Sequence, residues 1–173
     1  MPEHVHLFLW RYSLPFAQAK RSGGKMANFQ RLGAISNTHV GNEFEAAAQS
    51  YFEKTGIALQ RGFSVDVGYV LKKPHKFDLG SEHPPILVEC KSYKWTTGGN
   101  SPSAKIRSLN EAMLLFSVAP AGYKKMLFLL RDLRRNLSLA EHYVKTQGHL
   151  IGEGVEIWEY DLERNSAERV FPK

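Results

Sequence analysis

The sequence predicts an α/β domain in which a central mixed sheet is flanked by helices. Three observations lead there. Helical signals appear three times: an amphipathic stretch over 42–54 and helix-start residues at 101–102 and at 138–141. Between them lie short runs rich in Val and aromatic residues, the composition of strands. The two kinds follow one another as helix, three strands, helix, strand, helix, strand, an αβββαβ core with one further αβ unit.

Taken in order, Phe44, Ala47, Ala48, Tyr51 and Phe52 share one face of the first helix, with Asn42 as its cap and Gly56 just past its end. Residues 57–59, 63–71 and 76–79 form short β-type runs. The run Gly80-Ser81-Glu82-His83-Pro84-Pro85 is a turn, because Gly and consecutive prolines break helix and strand, and 86–91 returns as a strand. After a Gly/Ser/Pro loop over 96–103, Ser101 caps the second helix with Pro102 at its first position. Pro120 and Gly122 end that segment. Residues 126–130 are continuously apolar, which suits a strand buried on both faces. Ser138 and Glu141 stand at capping-box spacing for a helix ending near Gly148. Residues 155–160 supply a last strand, and the polar tail after Leu162 is expected to fray.

A length of 173 residues with 43% hydrophobic and 23% charged residues suits one packed domain and argues against wholesale disorder. That domain spans 26–173. Residues 1–25 form an N-terminal arm or extension: the apolar stretch 6–10 is too short for a signal-peptide core, and the basic linker Lys20-Arg21-Ser22-Gly23-Gly24-Lys25 precedes Met26. No apolar run approaches the roughly 20 residues of a membrane helix, so no membrane is expected. A single cysteine, Cys90, excludes an intrachain disulfide, and a reducing cytoplasm is the simplest location. The net charge of +6 favours an acidic partner such as nucleic acid.

The informative segment is Phe77-Asp78 followed by Ile86-Leu87-Val88-Glu89-Cys90-Lys91. By strand alternation Ile86, Val88 and Cys90 pack inward, while Leu87, Glu89 and Lys91 share the opposite face. If the two strands pair through the turn at 80–85, Asp78 approaches Glu89. Two carboxylates and a lysine suit metal-assisted hydrolysis. Mg²⁺ takes oxygen ligands, usually one or two protein carboxylates, and activates water while neutralising phosphate charge. The competing reading is a solvated strand face with an ordinary exposed ion pair, and a turn aspartate at Asp78.

Asp78…Glu89-Cys90-Lys91 resembles the signature of the PD-(D/E)XK nuclease superfamily, the restriction-endonuclease-like fold, over roughly 37–160; here Phe77 stands where many members have proline. The resemblance implies a Mg²⁺-dependent DNA endonuclease, with Mn²⁺ able to substitute, of restriction, repair or recombination type. Asp78 and Glu89 would be metal ligands, and Lys91 would position water or stabilise the transition state. Many members add a glutamate on the first helix. Periodicity places Glu43 and Glu45 alike beside the buried face, whereas Gly41-Asn42-Glu43-Phe44-Glu45 resembles the start of Holliday-junction-resolvase-like members, which points to Glu45 as a further ligand. A homodimer would match the two-fold symmetry of duplex DNA. No organic cofactor is implied. The alternative is a catalytically inactive DNA-binding or protein-interaction module with the same fold.

Lys73, Lys76, Lys94, Lys105 and Arg107 are candidate DNA contacts, offsetting the repulsion between the carboxylates and phosphates. Lys105 and Asn110 are the polar candidates on the second helix, and Arg131, Arg134 and Arg135 form a further basic cluster. Tyr93 and Trp95 either stack on a base or cover the strand end. Cys90 is a core residue, and His142 and His149 are structural.

Overall fold

A computed structural model describes residues 37–96 and 102–173; the expected N-terminal arm and the Ser101 cap lie outside the described residues. The described residues belong to one compact unit. Helix α1 (Asn37–Lys54) begins five residues before the expected Asn42 cap, so Asn42 is interior to it. The chain over 37–41 contains no proline, and its one glycine is a tolerable cost in a helix. The helix closes as a Schellman motif. Gly56 has φ +83°, its N–H donates to the Glu53 carbonyl at 3.0 Å, and the Ile57 N–H donates to that of Phe52 at 2.9 Å. Residues 57–59 are therefore the exit from that motif and not a strand, although Leu59 is buried.

Strands β1 (Gln60–Val67) and β2 (Lys73–Glu82) form an antiparallel hairpin, and β3 (Pro85–Lys91) returns antiparallel to β2. The expected six-residue turn shrinks to His83 and Pro84. Gly80 and Ser81 stay in the ladder opposite Leu87 and Ile86, and Pro85 takes the first position of a strand, where proline is tolerated. Gly80 is required by packing: a Cβ there would lie 2.5 Å from Cδ1 of Phe63.

Helix α2 (Ser103–Val118) leads to β4 (Lys124–Leu130), and Pro102 holds its N-cap position instead of the expected first helical one, without a side-chain cap. A two-residue turn with Arg135 and Asn136 both at positive φ joins the short strands β5 (Leu133–Arg134) and β6 (Leu137–Ser138), so part of the expected basic loop is a small hairpin. Helix α3 (Leu139–Gln147) follows with both arms of the Ser138–Glu141 capping box in place. Ser138→Ala is expected to cost about 1–2 kcal/mol, read as a lower urea midpoint; an unchanged midpoint would show that the cap contributes nothing.

After a 3₁₀ turn at Gly148–Leu150, β7 (Val155–Asp161) lies parallel to β4, and β8 (Ser166–Phe171) pairs back on it. The tail expected to fray is thus a sheet strand. Asp161 Oδ1 accepts from the Glu163 and Arg164 amides to shape the turn, and Val170 is buried. The sheet order is β1-β2-β3-β4-β7-β8, with β3, β4 and β7 mutually parallel, giving a mixed six-stranded sheet flanked by helices. Helix α1 covers one face through Phe44, Ala48 and Phe52, which pack on Val88, Cys90 and Phe128. Helices α2 and α3 cover the other through Leu109, Phe116 and Tyr143, which pack on Phe77, Leu87 and Leu127. Alternation along β4 feeds both layers, which is why 126–130 is continuously apolar. Among the described residues no helix is long and apolar enough to cross a membrane.

Candidate metal and phosphate site

The regular alternation of β2 breaks at Asp78. Phe77 belongs to the cluster under α2 and α3, whereas Leu79, two residues on, belongs to the cluster under α1. The partner strand breaks with it: Arg61 reaches α1, Phe63 packs on the opposite side, and Gly62 between them sits at φ +61°, a conformation glycine adopts without strain. The β2–β3 pairing begins at Leu79 opposite Val88, so Asp78 stands where the two strands part, in register with Glu89. There Asp78 Oδ2 accepts the Cys90 amide at 2.7 Å, which fixes the carboxylate toward β3.

Lys91 links the two acids. Its Nζ lies 2.8 Å from Glu89 Oε2 and 3.8 Å from Asp78 Oδ2. Glu89 is only 5% exposed, so the solvated-face alternative does not describe it: helices cover both sides of the sheet and bury a residue that alternation alone leaves outside. Burial raises the Asp78 carboxyl from 3.8 to about 6, repulsion from Glu89 adds to this, and Lys91 and the Cys90 amide oppose it. Burial pulls Lys91 downward, but the charge and hydrogen bond of Glu89 outweigh it, so the ammonium is held protonated above its usual range. One ammonium thus serves two carboxylates and sits closer to Glu89, leaving Asp78 undercompensated.

Glu45 and Glu43 separate in space. Glu45 faces the site, contributes to the raised Asp78 carboxyl, and is paired with Arg61 Nη2 at 2.7 Å. Glu43 is exposed and pairs with His39 at 3.1 Å. Two neighbours were not singled out from the sequence. Arg61 anchors Glu45, and His75 Nε2 lies 3.6 Å from Glu89 Oε1, opposite the Lys91 contact. The basic run around His75 looks like a polar loop in sequence; only its pairing with Val65 turns it toward the site. Cys90 is a buried core residue whose thiol burial pushes well up.

The remaining candidates divide. Lys73, Lys76, Lys94 and Arg107 are exposed, while the half-buried Lys105 donates to the Lys94 carbonyl. Asn110 is taken up between the helices, accepting from Tyr143 Oη at 3.0 Å and donating to Gln147 at 3.3 Å. Tyr93 donates to Ser108, and Trp95 is held by Asp132 with His142 and Arg134 against its ring. Arg131 faces Glu159 and Asp161.

Among the described residues no group of three His, Cys, Asp or Glu is assembled as a metal-binding cluster. Mg²⁺ usually takes only one or two protein carboxylates, so the Asp78–Glu89 pair has the right donor number. The local charge agrees, with three carboxylates (Asp78, Glu89, Glu45) facing two cations (Lys91, Arg61). The donor set therefore fits a hard divalent cation. Comparisons with protein-family models, with curated proteins and with solved structures gave no match for this chain.

Proposed function

We propose that this chain is a divalent-metal-dependent DNA endonuclease with a restriction-endonuclease-like core of the PD-(D/E)XK type. The observation that carries the reading is the convergence of Asp78 and Glu89, from adjacent strands, on the Lys91 ammonium where β2 and β3 part. The αβββαβ element order and the mixed sheet support it.

Asp78 and Glu89 would hold Mg²⁺ or Mn²⁺, with Glu45 close by as a further ligand or water-orienting group. Bound there, the ion would activate a water and neutralise charge on the scissile phosphate. The Cys90 amide pre-aims Asp78, leaving its Oδ1 for a ligand. Lys91, held protonated, acts as a fixed cation that orients water or stabilises the phosphorane-like transition state rather than as a base. The exposed lysines of β2 and Lys94 supply phosphate attraction. Cutting both strands calls for two copies, which a homodimer provides.

Supercoiled plasmid and a four-way junction, each incubated with Mg²⁺, Mn²⁺ or EDTA, test the reading. Metal-dependent cuts are expected, and the preferred DNA separates a restriction role from repair or recombination. DNA bound but never cut under any metal would support the inactive binding module instead.

A further inference from the structure

We infer that His75 is a positioning residue of this site, holding the Glu89 carboxylate in its metal-binding orientation from the side opposite Lys91; the inference rests on the nuclease reading above. Glu89 has a nitrogen at each oxygen, Lys91 Nζ at 2.8 Å from Oε2 and His75 Nε2 at 3.6 Å from Oε1. His75 Nε2 is buried and has no hydrogen-bond partner among the described residues. Its ring stands edge-on to Phe77, with centroids 4.8 Å apart at 85°, and Phe77 is itself stacked on Phe116 at 5.6 Å. That aromatic chain fixes where the imidazole points, and it points at Glu89.

Packing alone does not account for a histidine here. An apolar ring would serve against Phe77, whereas burying a ring nitrogen without a partner is unfavourable. The nitrogen has one carboxylate within reach, yet 3.6 Å is too long for a hydrogen bond. Hydrogen bonds at functional sites are often long in the unliganded protein and close only in the bound complex, so this spacing is compatible with a contact formed on metal binding. A histidine donating to a ligating carboxylate fixes its rotamer, and loss of such an outer partner typically weakens metal binding by about 10–100-fold.

The test is Mn²⁺ binding by calorimetry on the full chain, with DNA cleavage measured alongside, for wild type, His75→Phe and His75→Gln. His75→Phe keeps an aromatic ring against Phe77, and His75→Gln keeps an N–H donor. His75→Phe is expected to raise the Mn²⁺ Kd about 10–100-fold, and His75→Gln to recover part of that loss. The KM for DNA should stay unchanged, and the kcat of His75→Phe should return at saturating metal, which a folding defect would not allow. Wild-type Mn²⁺ affinity in His75→Phe, beside an active wild type, overturns the inference and leaves the nuclease reading standing. A wild type that neither binds Mn²⁺ nor cuts DNA overturns both.

Discussion

Asp78→Asn is expected to lose metal-dependent cleavage by about 10³-fold or more, the scale of removing a group that acts at the reacting centre, while leaving a more stable protein. The amide is isosteric and can still accept the Cys90 N–H, so the strand geometry survives. It removes one of the charges crowded around a single ammonium. The Asp78 carboxyl has a folded-state pKa of about 6 against an ordinary 3.8. Its favourable contribution to folding is therefore complete below about pH 4 and is lost as pH rises through about 6, by roughly 2–3 kcal/mol. Without metal, the stability gap between Asp78→Asn and wild type should open over that window and stay flat above it. Thermal unfolding of both proteins in EDTA from pH 4 to 8 measures it. A gap that is constant with pH would remove the charge crowding on which the site rests. Sites that bind charge at the expense of stability behave this way.

Lys91→Met is expected to destabilise the fold by about 3–5 kcal/mol, because it strips the ammonium from a carboxylate that is buried to within 5% of its surface. The penalty belongs to the orphaned charge and not to the lost lysine. Adding Glu89→Gln to Lys91→Met should therefore restore most of the stability, although neither variant is expected to cleave DNA. Urea midpoints for the two single variants and the double variant form the cycle. A Lys91→Met cost below about 1 kcal/mol would place the pair in solvent, where ion pairs contribute little.

Much of this arrangement is legible in the sequence, for identifiable reasons. The three-and-four spacing of Phe44, Ala48, Tyr51 and Phe52 marks α1 because one face meets the sheet, and the apolar run of β4 marks a strand between two helical layers. Ser138 and Glu141 announce α3 because their interaction is local. Asp78, Glu89 and Lys91 are recognisable because strand alternation and a short turn bring them together. What stays hidden depends on contacts between distant segments. Periodicity places Glu43 and Glu45 alike, and it takes Arg61, sixteen residues on, to draw Glu45 to the site. His75 sits in a Lys/Pro-rich run, and only its register with Val65 turns it inward. The burial of Glu89 is not visible in alternation, because buried clusters lie on both faces of the sheet. Strand β8 is short and polar, so its pairing with β7 leaves little trace in composition.

The most direct test is the conversion of supercoiled plasmid by wild type and Asp78→Asn, purified identically and assayed with Mg²⁺ and with EDTA. Nicked and linear products from wild type with Mg²⁺, absent in EDTA and absent from the folded Asp78→Asn protein, are the predicted result. Equal cutting by both proteins, or none by a wild type that still binds DNA, would contradict a hydrolytic role for the Asp78–Glu89–Lys91 cluster.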